Sequence, residues 1–411
     1  MSFRNLCTRQ LSLLTASVIS ALLLTSCASG TQATQNSQKS ASSAENTNNA
    51  ENTDNADNSA EKKQPDELIP FSLGYLPSTG HLLYFVAKEE GFFEDYGLDV
   101  SLSNFDGNSD VVMAVESGKL DAAAIGSTSS ISYIQQGANL QIIGGIMKEG
   151  HALVVKPELV EGIDPKDYSL ELLRGKTIAN VDKGITDIIY RYVFEHNLGW
   201  EIGKDVYFET MSSAGLETLL NKDIDAVSVY TPFRAIAEQK GYVLLDYSGQ
   251  NEPFQDHPCC RNLASKALIE EHPERYVAYL KALIKAYKFY QENEEQTCID
   301  IAQYCDTDID IIRGETYGKY ISSTPDPETK AIWVWYDALL RGGYIEEFDL
   351  KSAINTDLYK QALDEVAAEE PDEQFWQDML VHYDEYNINY TREDYFDIYD
   401  DDWNYTGGSE S

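Results

Sequence analysis

Regular patterning begins near Leu68. "FSLGYL" has the short apolar character of a buried strand, and "HLLYFVAKEEGFF" is a short amphipathic helix closed at Gly91. "LDVSLSNF" predicts the next strand, "NSDVVMAVESGKL" the next helix and "DAAAIGS" a third strand. Strands alternating with helices predict an α/β fold with a largely parallel sheet. Ligands of such sheets sit beyond the carboxyl ends of the strands. Further along, "VVKPE" breaks regular structure at Pro157, and "DYSGQNEPFQDHP" reads as loop. "HPERYVAYLKALIKAYKFYQ" places Pro273 in the first turn of a helix. Val277, Leu280, Ile284 and Tyr287 form its apolar face, with lysines on the other side. "AIWVWYDALLRGG" reads as core.

The first residues have a different pattern. "LSLLTASVISALLL" follows Arg4 and Arg9 and has the length of a signal peptide, too short to span a membrane comfortably. Leu24-Thr25-Ser26-Cys27 resembles a bacterial lipobox. The resemblance implies a signal peptide over 1–26, lipidation of Cys27, and a lipid anchor holding the protein on the extracytoplasmic face of the cytoplasmic membrane. Residues 28–66 have no aromatic and no β-branched aliphatic side chain, so they are expected to form a disordered spacer. The remaining body is long enough for two domains.

Charge narrows the partners. The chain has 69 acidic against 31 basic residues, a net charge of −38, which argues against nucleic acid and against an anionic membrane surface as binding partners. Acid and tyrosine concentrate after residue 370, and 371–411 is expected to be an acidic, tyrosine-rich extension. Its aromatics argue for packing. Asp400, Asp401 and Asp402 are hard oxygen donors suited to calcium, but they lack the spacing of an EF-hand loop, and a solvated tail is the expectation.

Catalytic motifs do not stand out. There is no GxSxG, no HExxH and no glycine-rich phosphate loop, so the chain reads as a non-enzyme without a cofactor. Histidine and cysteine are present, yet nothing in the sequence orders them as nucleophile, base and orienter.

Two long stretches carry a family resemblance. "GYLPSTGHLLYFVAKEEGFFEDYGLDVSL" and "VVMAVESGKLDAAAIGSTSSISYIQQGANLQIIGGI" resemble the binding proteins of nitrate, sulfonate and taurine importers, a group that also includes binders of thiamine precursors. "LRGKTIANVDKGITDIIYRYVFEHNLG" and "LETLLNKDIDAVSVYTPFRAIAEQKGYVLL" continue it. The resemblance implies a periplasmic-binding-protein type II fold, two α/β lobes with a ligand cleft between them. It places 68–152 with 251–370 in one lobe and 153–250 in the other. It implies a monomeric lipoprotein that captures a small organic ligand, a sulfonate or a heterocycle of the thiamine-precursor or riboflavin kind. The partners would be an ABC permease and its ATPase. The other classes are a metal- or haem-binding surface lipoprotein, a secreted enzyme and a structural surface protein.

The resemblance also points to cleft residues at strand ends. They are Tyr75, Ser78, Thr79 and His81, then Asn104 in the loop "NFDGN", then Ser127, Thr128 and Ser129 in "GSTSS". His151, Lys183 and Thr186 follow, then Tyr230, Thr231 and Arg234 in "VYTPFR". "HPCCRN" adds His257, Cys259, Cys260 and Arg261. Ser127 and Thr128, with Lys183 or Thr186 from the opposite lobe, are the expected contacts to an anionic head, and Arg261 the expected nearby positive charge. The adjacent cysteines have three readings: a vicinal disulfide, small buried residues beside the ligand, or metal- and thiol-reactive groups. Cys298 and Cys305 stand seven apart on a probable helix, beyond disulfide reach unless a turn intervenes.

Overall fold

The computed structural model describes residues 67–181, 184–211, 216–221 and 223–389. Cys27, the spacer, Lys183 and the aspartates at 400–402 lie outside the described residues. Among the described residues, eleven strands form two sheets. In chain order they are β1 (Ile69–Tyr75), β2 (Leu98–Asn104), β3 (Ala122–Gly126), β4 (Leu140–Glu149), β5 (His151–Val155) and β6 (Thr177–Val181). β7 (Tyr207–Met211), β8 (Ala226–Tyr230), β9 (Val243–Tyr247), β10 (Pro258–Ser265) and β11 (Ile321–Ser322) complete the set. The first sheet runs β11-β4-β10-β3-β1-β2, and the second β7-β6-β8-β5-β9.

Neither sheet is largely parallel, contrary to the expectation from alternation. β1, β2 and β3 pair in parallel, but β10 lies antiparallel between β3 and β4. Likewise β6 pairs in parallel with β7 and β8, while β5 is antiparallel to β8 and β9. The cause is the double crossing of the chain. β4 leads through Gly150 directly into β5, and β9 returns through a loop to β10. The crossing strands enter each sheet from the far end and so oppose its βα units. The strands of the second sheet all lie between His151 and Met211 or between Ala226 and Tyr247.

Burial explains the apolar runs. Every residue of β3, β5 and β10 is buried, as expected for central strands covered on both faces. Gly145 of β4 shows why a glycine is needed there. A Cβ on it would stand 2.2 Å from the carbonyl oxygen of Asp326 and 2.6 Å from that of Thr324. The segment 324–326 therefore lies directly on β4, and Gly145 donates its N–H to the Pro325 carbonyl at 2.8 Å.

The long helix Pro273–Glu292 packs its apolar face on the first sheet's core, burying Val277, Leu280 and Ile284, with Tyr287 partly buried against it. Its lysines are covered too. Lys281 reaches Glu369 at 2.8 Å and Lys288 reaches Glu373 at 2.7 Å, from the helix Thr356–Glu369 and the turn beyond it. The helix Gln374–Tyr383 then buries Trp376, Met379 and Tyr383. As far as Asn389, the aromatic tail is part of the packed body.

Candidate functional site

A cavity of about 150 Å³ lies between the two sheets. Its walls come from both sides. Leu76, Ser78, His81, Met147, Cys259 and Cys260 belong to the first sheet and its loops, and Ile185, Thr186, Ser228, Val229 and Tyr230 to the second. His151, first residue of β5, stands at the crossing.

Three helices begin at this cavity. They are Asn108–Glu116, Ser127–Gln135 and Ile185–Tyr192, and their N-cap residues are Gly107, Gly126 and Gly184. Glycine has no side chain to accept from the first-turn N–H groups, and none of the three helices has a side-chain cap bond. Helix N-termini carry partial positive charge and donate hydrogen bonds, which favours an anion. Among the described lining residues there is no lysine or arginine, and the helix N-termini supply positive polarity beside the one lining carboxylate, Asp106. The helix ends crowd together: a Cβ on Gly126 would lie 3.2 Å from Asn108 Nδ2 and 3.8 Å from Ile185 Cδ1 of the other sheet.

The side chains add donors and apolar wall. Thr186 Oγ1 donates to Ser228 Oγ at 3.1 Å, leaving the Ser228 hydroxyl hydrogen free to turn toward the cavity. Asn108 Nδ2 donates to Ser129 Oγ at 3.3 Å, and Asn108 Oδ1 accepts from Gly126 N–H at 3.3 Å. Tyr230 packs edge-on against Phe233, and burial pushes its hydroxyl up to about 12, so it stays a neutral donor.

Seven of the expected site residues line the cavity: Ser78, His81, His151, Thr186, Tyr230, Cys259 and Cys260. The other described ones have different positions, each with a physical reason. Tyr75 packs edge-on against Phe85 and Tyr304 in the core. Asn104 is exposed at the end of β2, and Asn108, four residues on, takes the cavity position. Ser127 is buried and donates its hydroxyl to the Pro258 carbonyl at 2.8 Å. Thr128 is buried in the first turn of its helix, and Ser129 bonds to Asn108 beside the cavity. Thr79 and Thr231 share a hydroxyl–hydroxyl bond of 2.6 Å that ties the two sheets' loops together. Arg234 is engaged by Glu238 at 2.6 Å and Glu315 at 2.8 Å. Arg261 is fully buried and pairs with Glu328 at 3.1 Å, away from the cavity lining. His257 stands behind His151 rather than on the lining.

Sequence reasoning missed Asn108, Ser228, Met147 and Asp106. "NFDGN" did flag the loop that holds Asp106 and Asn108, but alternation in "AVSVY" gives no sign that Ser228 faces a ligand space. Among the described residues, no group of three or more His, Cys, Asp or Glu side chains is placed to hold a metal ion.

The model of the NMT1-like family matches residues 64–305. A binding protein of Bacillus subtilis, YtlA, is 25% identical over 256 residues, covering 59% of this chain and 73% of its own. A second B. subtilis protein, named for binding aliphatic sulfonates, is 23% identical over 320 residues, covering 75% of this chain and 91% of its own. The crystal structure of the periplasmic nitrate-binding protein NrtA from Synechocystis superposes with a TM-score of 0.62 at 17% identity, covering 75% of this chain and 91% of that one. The fold is the two-lobed α/β fold of periplasmic binding proteins.

Proposed function

The chain belongs to the NMT1-like family, and from that premise we propose that it is the extracytoplasmic solute-binding component of an ABC importer, with a small organic anion as its ligand. The convergence of three uncapped helix N-termini on one cavity carries this reading. Burying an anion costs several kcal/mol unless donors replace its water. Backbone N–H groups and the Ser228 hydroxyl, whose hydrogen is left free by Thr186, supply such donors with no lysine or arginine among the described lining residues. Leu76, Met147, Ile185, Val229 and Tyr230 form an apolar wall for the organic part. A sulfonate matches both halves, and the relative named for aliphatic sulfonates supports that class.

Capture proceeds by the lobes closing about the crossings near residues 152 and 250, with the first lobe formed by 68–152 and 251–370 and the second by 153–250. The permease and ATPase then receive the ligand from a lipoprotein anchored through Cys27, acting as a monomer. Among the described residues no helix is long and apolar enough to cross a membrane, and the anchor rests on the lipobox alone. Intact-mass analysis of the mature protein tests it: a diacylated N-terminus at Cys27 is expected, and an unlipidated one beyond residue 27 overturns it.

A calorimetric panel of alkanesulfonates, nitrate, bicarbonate, thiamine-pyrimidine precursors and riboflavin tests the ligand class. One-to-one binding of a sulfonate is expected. Binding of a neutral heterocycle alone would replace this reading with the heterocycle class.

A further inference from the structure

Cys259 and Cys260 are adjacent on β10, and adjacent side chains of a regular strand point to opposite faces. Here both line the cavity. The pairing of β10 with β4 explains it: the register slips between Pro258 and Cys260 and again between Cys260 and Arg261. Such irregularities re-aim side chains. The two sulfurs end 3.3 Å apart, in contact.

The surroundings control the protons. The Phe254 carbonyl accepts from His257 Nδ1–H at 2.7 Å. His257 Nε2 is then an acceptor and takes the proton of His151 Nδ1 at 3.2 Å. That leaves the lone pair of His151 Nε2 beside Cys259 Sγ, at 3.6 Å. Burial holds both imidazoles neutral. On the other side, His81 Nδ1 accepts from Leu76 N–H at 3.2 Å, so its buried Nε2 carries hydrogen and has no hydrogen-bond partner. The Cys259 S–H and the neighbouring His81 favour a thiolate on Cys260, while burial keeps the proton on Cys259.

This geometry suits a bridging atom better than a direct bond. A disulfide needs its Cα atoms roughly 4.4–6.8 Å apart, whereas neighbours across a trans peptide stand about 3.8 Å apart. The pair is free in the structure, and the intervening peptide is not among the cis bonds. Among the described residues no group of three or more His, Cys, Asp or Glu is placed for a metal ion, and a two-coordinate soft metal holds its two sulfurs on opposite sides rather than in contact. Trivalent arsenic asks for two sulfurs, carries its third substituent itself, and its pyramidal shape holds those sulfurs near contact.

We propose that Cys259 and Cys260 form a covalent capture site for a monosubstituted trivalent arsenical, R–As(OH)2, in the wall of the ligand cavity. Two As–S bonds form and two As–O bonds break, with no change of oxidation state. Each oxygen leaves as water. The two thiol protons go to those oxygens, that of Cys259 relayed by His151 Nε2. The R group lies against Leu76, Met147, Ile185 and Val229.

The probe is phenylarsine oxide, added to the reduced full chain and followed by intact mass and free-thiol count. One phenylarsenic per chain with the loss of two thiols is expected. The adduct should survive excess monothiol and be stripped by 2,3-dimercaptopropanol. Cys259→Ser and Cys260→Ser should each lose the monothiol-resistant adduct, and Cys298→Ser/Cys305→Ser should retain it. Absence of a resistant adduct in the wild-type chain overturns the proposal, as does its persistence in Cys259→Ser/Cys260→Ser. The readout needs no transported ligand. Loss of the adduct with sulfonate binding intact removes this site alone, and the converse removes the anion reading alone.

Discussion

Arg234 and Glu315 form an ion pair of 2.8 Å, with both side chains almost wholly buried. Arg234 follows β8 of the second sheet, and Glu315 lies in the helix Ile309–Tyr317. The guanidinium also stacks on Tyr320, 3.6 Å from the ring centroid, and Glu315 accepts from Ala235 N–H at 3.1 Å. The contact joins the segment after β8 to the helical layer after β10. An arginine expected from sequence to bind a ligand is instead part of how the two halves meet.

Removing one partner strands the other. Arg234→Met should lower unfolding stability by roughly 3–5 kcal/mol, because Glu315 is left buried and uncompensated. Arg234→Met/Glu315→Gln should recover most of that loss. Urea midpoints at fixed m-value check both. Additive losses in the double variant would show that the pair is not coupled.

Acid should weaken the fold through the histidine relay. Burial holds His257 down to about 4, while the unfolded chain takes up its proton near 6.5. Between those values the unfolded state binds more protons, so stability falls as pH drops through that window. One such group contributes roughly 3 kcal/mol, and His151 acts in the same direction. Asp246, Asp300 and Asp326, pushed up to about 6 by burial, act oppositely. The test is therefore a difference: the stability of wild type relative to His257→Gln should fall by roughly 3 kcal/mol as pH drops from 6.5 to 4. Parallel curves would mean that His257 is not held neutral.

Individual strands and helices were largely legible, and the site only in part. "FSLGYL", "DAAAIGS" and the helix from Pro273 follow from local periodicity, which needs no partner. The antiparallel insertion of β10 was not legible, because it depends on where the chain crosses between sheets. His81, His151 and Cys259 come from separate segments, so only the family resemblance brought them together. Arg234 and Arg261 were misplaced for a common reason. A cation in an acidic chain has many possible partners, and sequence does not show that Glu315 and Glu328 are buried beside them. In "NFDGN" the loop was right but the residue was not, since a helix starting at Asn108 turns that side chain inward.

The tail is load-sharing where it is described. Trp376 is fully buried, donates its indole N–H to Glu370 at 2.9 Å, and lies under Lys285, 5.0 Å from its ring. Trp376→Ala should cost roughly 3–5 kcal/mol through lost burial and the cavity left behind. Thermal unfolding measures it. A change below about 1 kcal/mol, the range of surface substitutions, would show that the helix Gln374–Tyr383 does not support the body.

The central claim is that backbone N–H groups at three helix starts hold an anionic head in the interlobe cavity. Calorimetric titration with benzenesulfonate and with methyl phenyl sulfone, its uncharged counterpart, tests this most directly. Hydrogen bonds to a charged acceptor exceed neutral ones by about 1–1.5 kcal/mol each, so the sulfonate should bind one to one and roughly tenfold or more tighter. Equal affinity for the two, or tighter binding of the sulfone, would contradict the account.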